Sequence, residues 1–202
     1  MASGALSTAS RGNGVGRLNI IGISGAAGAG KDTIGNILVN DYGYKRVSFA
    51  KPMKAAIEAI FEVGPWIWER DVKESPLVEL HGHSPRKLAQ TLGTEWGRNI
   101  LGEDFWVTLA MDKAVRLVDT GSPVVITDVR FNNEASAILA AGGSVVGVIR
   151  PCLDSQSIRN HISEAGLDED LVTAVLLNDG RLGDLGEKVA YILDELNSEE
   201  LA

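Results

Sequence analysis

Cysteine is nearly missing from this chain. Cys152 is the only one among 202 residues, so no disulfide can close within the chain, which fits a reducing compartment and an expected cytoplasmic location. No apolar run approaches the ~20 residues a helix needs to cross a bilayer, so a membrane is not an expected partner. Positive charge is in deficit, with 19 Lys and Arg against 27 Asp and Glu. The formal net charge of -8 argues against bulk nucleic acid as a partner. Residues Met1 to Gly16 lack the apolar block of a signal peptide. They are rich in Ser, Gly and Ala, carry Arg11 as their only charge, and are expected to form a disordered tail. Internal repeats are absent too. What remains, 17–202, has the length of one domain, and an apolar content of 45% can supply its core.

The most informative stretch runs from Leu18 to Asn40. Leu18 to Ile23 reads as a short apolar strand, and Ile34, Ile37 and Leu38 share one face of a helix. Between them lies Gly25-Ala26-Ala27-Gly28-Ala29-Gly30-Lys31-Asp32-Thr33. Strand, glycine-rich turn, lysine and helix form the pattern of a phosphate-binding loop. Successive backbone N–H groups point into such a turn, the helix N-terminus adds partial positive charge, and Lys31 adds a full one. Gly25, Gly30 and Lys31 satisfy G-x-x-x-x-G-K, but the next position, usually Ser or Thr for magnesium, is Asp32. A carboxylate there repels phosphates unless a cation or a hydroxyl lies between. The competing reading is a glycine-rich structural turn.

A second strand is expected over Tyr44–Phe49, then a helix with Pro52 in its first turn and Met53, Ile57 and Ile60 at helical spacing. This rhythm argues for a parallel sheet with covering helices. Gly64 to Ser84 is irregular, broken by Pro65 and Pro76 and followed by Pro85. It reads either as a mobile insertion over a substrate or as a surface connection that tucks Trp66 and Trp68 inward. His81 and His83 lack a third metal ligand nearby in sequence. From Ser84 a cap and Pro85 open a helix with Leu88 and Leu92 as its stripe, ended by Gly93. Arg86, Lys87 and Arg98 flank it, either to hold a second phosphate or as solvated helix charges. Asp104 is an N-cap candidate for a helix with Trp106, Leu109 and Ala110 on one side; on composition alone Trp106 reads as core rather than ligand contact.

Pro123 to Arg130 is the second strong signal. Val124, Val125 and Ile126 suggest a strand buried on both faces, with Asp128 near its carboxyl end, where open α/β sheets bind ligands. An acid there can orient magnesium through water, and Arg130 can neutralise phosphoryl oxygens. The alternative is a structural Asp128–Arg130 pair. A helix capped by Asn132, Asn133 and Glu134 should end at Gly142-Gly143, followed by a buried strand over Val145–Ile149. Val172–Leu177 is the last expected strand and Asn178-Asp179-Gly180 its turn. Leu185, Val189, Ile192 and Leu196 form a final helical stripe, with Asp184 and Glu187 as a capping-box pair.

Taken together these segments resemble the deoxynucleoside monophosphate kinases of tailed bacteriophages, which belong to the P-loop kinases related to adenylate kinase. Gly30-Lys31-Asp32-Thr33 is that family's form of the loop, so the Asp is expected there. Ser84 to Arg98 resembles its S-x-R-x-L-x-Q-x-L-G-T-[DE] segment, with Trp106 at the matching distance. Asp128, Arg130 and Glu134 resemble its D-x-R-x-x-x-E element. His161 to Leu167 and Asn178 to Gly180 match in order near the end. The resemblance covers roughly Asn19 to Leu196. It implies an α/β three-layer P-loop kinase sandwich, a parallel sheet with helices on both faces. A small helical and loop insertion at about 64–106 would bind the acceptor, and a lid would lie at about 151–167.

The activity it implies is magnesium-dependent transfer of the ATP γ-phosphate to a deoxynucleoside 5′-monophosphate, in host cytoplasm if the gene is viral. A homodimer is implied by the resemblance only. Gly25, Ala26, Gly28, Ala29, Gly30, Lys31, Asp32 and Thr33 would cradle ATP phosphates, with Lys31 bridging β and γ and Asn178 near the adenine. Asp128, with Asp32, would hold magnesium through water; Asp32 is alternatively a partner of the substrate sugar. Arg86 and Lys87 would clamp the monophosphate, and Gly93, Thr94, Trp106 and Glu134 would line its nucleoside. Arg130, with Arg150 or Arg159 from the lid, would neutralise the transferring group. Two rivals stand beside this reading: a kinase of a phosphorylated small molecule such as phosphomevalonate, and a non-catalytic nucleotide-binding regulator. A GTPase is disfavoured, because Asn178-Asp179-Gly180 lacks the Lys and Asp of N-K-x-D.

Overall fold

The computed structural model describes residues 20–151, 167–180 and 182–199. The expected N-terminal tail, and most of the expected lid with Arg159, lie outside the described residues. Strand β1 (Ile20–Ser24) is the centre of a five-stranded parallel sheet with β2 (Lys45–Val47), β3 (Val124–Val129), β4 (Ser144–Ile149) and β5 (Ala174–Leu177). The spatial order is β2-β3-β1-β4-β5. Pairing puts Ile21 opposite Val125 on one side and Ser144 on the other, so β1 is hydrogen-bonded along both edges. It is also covered on both faces, which explains its unbroken apolar run.

Alternation along the strands sorts the side chains into two cores. Ile21, Ile23, Val125, Val146 and Val148 face helix α1 (Lys31–Tyr42) and the last helix, α6 (Leu182–Glu199). There they meet Ile34, Leu38, Leu185, Val189, Ile192 and Leu196, the stripe expected from sequence. Ile20, Val124, Ile126, Val129 and Val145 face the other way, against α4 (Phe105–Asp119) and α5 (Asn132–Ala140). Helix, sheet and helix make the three layers of a P-loop kinase fold.

Between α2 (Lys51–Phe61) and α4 the chain leaves this frame. Two short 3₁₀ turns, Pro65–Trp68 and Val78–Leu80, lead into α3 (Pro85–Gln90). Ser84 caps α3 as expected, its Oγ accepting from the Lys87 amide at 3.3 Å. Gly93 does not end the helix. The chain runs on without a break as a π-helical segment, Thr91–Leu101, wound with the wider i→i+5 spacing. Gly93 and Gly97 are both buried within it. They serve as contact points for an indole rather than as a stop signal.

Smaller differences follow the same logic of tertiary context. The second strand is three residues rather than six, because β2 is an edge strand paired only with β3. The last strand begins at Ala174, not Val172. Ile60 and Leu109 are exposed, lying beside the inward stripes of α2 and α4. Asp184 lies inside the first turn of α6, which already starts at Leu182, and not at a cap.

Candidate active site

The carboxyl ends of the strands gather the chemistry. After Ser24 the chain turns through Gly25, Gly28 and Gly30, with φ of 144°, 79° and 108°. Those values favour glycine, and at Gly25 a Cβ would also lie 2.4 Å from the Val148 carbonyl oxygen. Gly30 is the N-cap of α1 and supplies no side-chain cap, so the first-turn amides of α1 receive no cap bond. Lys31 folds back over the loop, its Nζ donating to the carbonyls of Gly25 at 2.6 Å and Ala26 at 2.8 Å. Burial lowers the pKa of this ammonium; the nearby Arg130 lowers it further and Asp32 opposes both. Arg130, leaving the end of β3, is thus close enough for its charge to be felt at Lys31.

The neighbouring strand ends close on the same loop. Past β5, Asn178 donates from Nδ2 to the Ala29 carbonyl at 2.8 Å, and its backbone N–H reaches Ile149 O at 2.7 Å. At the end of β4, Arg150 donates from Nη1 to the Gly28 carbonyl at 3.4 Å. Asp32 projects outward, with 87% of its side chain exposed and one oxygen 3.7 Å from Arg46. Arg46 also donates to the Asp32 carbonyl at 3.2 Å and to Asn36 Oδ1 at 3.0 Å, and lies against Gly35, where a Cβ would approach it at 2.5 Å. Nothing in the spacing from Lys31 to Arg46 signals this pairing; it arises because β2 runs beside the start of α1.

Asp128 forms neither the structural pair with Arg130 nor a cluster of acids. Its Oδ2 accepts from Ser48 Oγ at 2.8 Å and the Ala50 amide at 3.0 Å, and its Oδ1 accepts from the Phe49 amide at 3.2 Å. It therefore pins the turn that opens α2. Among the described residues no group of three or more His, Cys, Asp or Glu stands ready to hold a metal ion. A divalent cation here would take phosphate oxygens and water as most of its ligands, which is how magnesium is commonly held. The lone pair left on Asp128 Oδ1 fits that arrangement.

Glu134 and Trp106, expected to line the nucleoside, are both buried. Glu134 is 3% exposed. Its Oε2 accepts from the amides of Arg130 at 2.7 Å and Phe131 at 3.2 Å, and its Oε1 from Arg98 Nη2 at 3.2 Å. Burial pushes this carboxyl up to about 7; the two amides and Arg98 pull against that, while the charge of Asp128 adds to it. The folded state thus keeps the proton to about pH 7, above the ordinary 4.5, so the stability this group contributes falls as pH rises between those values. Trp106 is 6% exposed and donates from Nε1 to the Gly93 carbonyl at 2.9 Å. Its indole packs on Phe105 and Trp96, with centroids 4.8 and 6.2 Å away. Trp106 is a core residue that fixes the π-helical segment. Trp106→Phe should lower stability by about 1–2 kcal/mol through the unpaired Gly93 carbonyl, read by thermal denaturation. A raised acceptor KM at unchanged stability would instead restore the lining role.

The basic pair expected to clamp a monophosphate stands on the surface of the intervening segment. Arg86 is ion-paired with Glu74, its amide donates to the Lys73 carbonyl at 2.9 Å, and Lys87 and Thr94 are exposed. The structure thus brings Lys31, Asp128, Arg130, Arg150 and Asn178 to one end of the sheet. Arg86 and Lys87 lie on α3, which packs on α2 and the first 3₁₀ turn, and Gly93 and Thr94 on the π-helical segment that continues it.

A lysine folded into a glycine turn at the central strand of a parallel sheet, ringed by arginines from neighbouring strand ends, defines a P-loop kinase. Within that class the chain belongs to the deoxynucleotide monophosphate kinase family, whose model matches residues 69–189. A protein of Acanthamoeba polyphaga mimivirus named for the same activity is 32% identical over 164 residues, 73% of this chain and 81% of its own. The deoxynucleotide monophosphate kinase of Enterobacteria phage T4 is 36% identical over 117 residues, 56% of this chain and 46% of its own length. Dephospho-CoA kinase from Campylobacter jejuni superposes with a TM-score of 0.47 and 13% identity, covering 88% of this chain and 97% of that one. Among the described residues no helix is long and apolar enough to cross a membrane.

Proposed function

We propose that this chain transfers the γ-phosphoryl group of ATP to a deoxynucleoside 5′-monophosphate in one in-line displacement. The observation that carries the reading is Lys31 folded into the glycine loop by the Gly25 and Ala26 carbonyls, with the charge of Arg130 felt there from the end of the next strand. Lys31 would exchange the Gly25 and Ala26 carbonyls for β- and γ-phosphoryl oxygens, while the amides from Ala26 to Thr33 hold the β-phosphate. Asn178 keeps the loop in shape from the side where the adenine would sit. A phosphate oxygen of the acceptor attacks the γ-phosphorus as the bond to the β–γ bridging oxygen breaks. That oxygen is already ionised at neutral pH, so no strong general base is needed.

Arg130 and Arg150, with Arg159 from outside the described residues, would neutralise the transferring group. Magnesium would supply further neutralisation of phosphoryl oxygens when bound. Asp128 would hold one of its waters through Oδ1, with Asp32 as second holder or as partner of the substrate sugar. Arg86 would leave Glu74, and with Lys87, Gly93 and Thr94 receive the monophosphate. The stretch at about 64–106 is then the acceptor side, and that at about 151–167 the lid.

The deciding experiment is ADP release from ATP and magnesium, offering each deoxynucleoside monophosphate in turn beside AMP and phosphomevalonate. Release is expected with one or more deoxynucleotides. With Trp106 buried, its indole does not separate a nucleotide from another phosphorylated acceptor in advance, so the panel itself decides. Release with phosphomevalonate alone, or ATP binding with no release at all, overturns the reading.

A further inference from the structure

One buried ion pair joins the acceptor side of the molecule to the phosphate side. Arg98 lies near the end of the π-helical segment with only 16% of its side chain exposed. Its guanidinium is held twice, by Glu134 Oε1 at 3.2 Å and over the Phe131 ring at 4.0 Å. Glu134 spends its other oxygen on the amides of Arg130 and Phe131. A single carboxylate therefore spans the guanidinium of one segment and the backbone of the residue that faces Lys31. We propose that Arg98 is a positioning residue, which sets through Glu134 where Arg130 stands over the phosphate loop.

The inference rests on the reading that Arg130 meets the transferring phosphoryl group. Its physical ground is the cost of the arrangement. A buried pair of opposite charges is seldom more stable than a packed apolar pair of the same volume. Stability alone does not call for Arg98 and Glu134 at these positions. What the pair supplies is direction. The carboxylate accepts from the Arg130 and Phe131 amides only while its oxygens stay aimed at them, and Arg98 holds it from the opposite side. The π-helical segment in turn is fixed by Trp106, whose Nε1 bonds Gly93 and lies where a Cβ on Gly97, beside Arg98, would fall. A shift of that segment, as an acceptor binds, would be carried to Arg130 by one chain of contacts.

Two charged groups bear on Glu134, Arg98 from the π-helical segment and Asp128 from β3, while Arg130 and Phe131 reach it through their backbone amides. Glu134 titrates near neutrality, so loss of Arg98 removes an influence that keeps it ionised. Protonation leaves the amides a weaker acceptor, and the turn that carries Arg130 loosens.

The test uses Arg98→Met and Arg98→Lys in the full chain. In the wild type the Arg130 and Phe131 amide resonances should titrate together near pH 7, and in Arg98→Met their midpoint should rise by about one unit or more. At pH 7 the kcat of Arg98→Met for the preferred acceptor should fall about 5-fold or more, the drop in ionised Glu134 that a one-unit rise from about 7 produces. It should recover toward alkaline pH with the ATP KM unchanged, and Arg98→Lys should regain most of the loss. An unmoved amide midpoint, or a loss equal at every pH, overturns the inference. If the wild type phosphorylates no deoxynucleoside monophosphate, the proposed function fails, while the amide midpoints still decide whether Arg98 governs Glu134. If Arg98→Met does not fold, Glu134→Gln decides: the amide titration near pH 7 should vanish, and its persistence overturns the proposal.

Discussion

Lys31→Met should lower turnover to on the order of one part in 10³, the scale seen when a preorganised donor is removed from developing charge. The side chain is held against the loop by two carbonyls, at 2.6 and 2.8 Å, and in the proposed reaction would stand beside the bridging oxygen. Its ammonium is also partly desolvated and feels the charge of Arg130. Both effects raise its demand for an anion, which a bound triphosphate would satisfy in the proposed reaction. Methionine keeps the unbranched stem and the packing but removes the donors, so the fold should survive. Lys31→Arg should not rescue, because a planar fork cannot replace a compact ammonium between Gly25 and Ala26. Single-turnover transfer with saturating ATP checks the loss, and circular dichroism checks the fold. Turnover within a few-fold of wild type would mean that the glycine loop is a structural turn and that the phosphates bind elsewhere.

What could be read from sequence and what could not divide along a physical line. The strand before the loop, the buried β3 and β4 and the stripe of α6 are periodic or continuous apolar patterns, and burial against a sheet reproduces them residue by residue. The glycine loop is legible because positive φ and close approach leave few alternatives to glycine. The pairs that shape the site are not legible: Arg46 with Asp32, Ser48 with Asp128, Arg98 with Glu134. Each joins elements far apart in the chain, and no local spacing encodes a partner on another strand. The role of Trp106 was obscured for the same reason. Composition alone reads it as core and the family resemblance as a lining residue, and the packing shows it buried against the π-helical segment. Gly93 misleads in the opposite sense. A glycine at the end of an apolar stripe usually stops a helix, yet here the carbonyl of Gly93 is wanted by an indole and the helix widens to continue.

Gly97 tests that account most severely. A Cβ there would lie 2.2 Å from Trp106 Nε1, 2.7 Å from Cε2 and 3.0 Å from Cζ2. The indole has little freedom to retreat, since it is itself buried, Nε1 is bonded to Gly93 and the ring is 4.8 Å from Phe105. Gly97→Ala should therefore cost about 1–3 kcal/mol in overpacking and about 1 kcal/mol more if the Nε1 bond breaks. Near the melting temperature this corresponds to a fall of roughly 5–15 °C for a chain of this size. The opposing gain in helix propensity, about 1 kcal/mol at most, is too small to offset it. Gly186→Ala in α6 is the control: it has nothing within 4 Å of its Cβ and should be neutral or slightly stabilising. Because Gly97 adjoins Arg98, the damaged protein should also lose turnover more than ATP affinity. A Gly97→Ala protein as stable as the control would show that the indole yields. The Trp106–Gly93 bond would then not be what holds the π-helical segment, and Arg98 would have to be fixed by Glu134 and Phe131 alone.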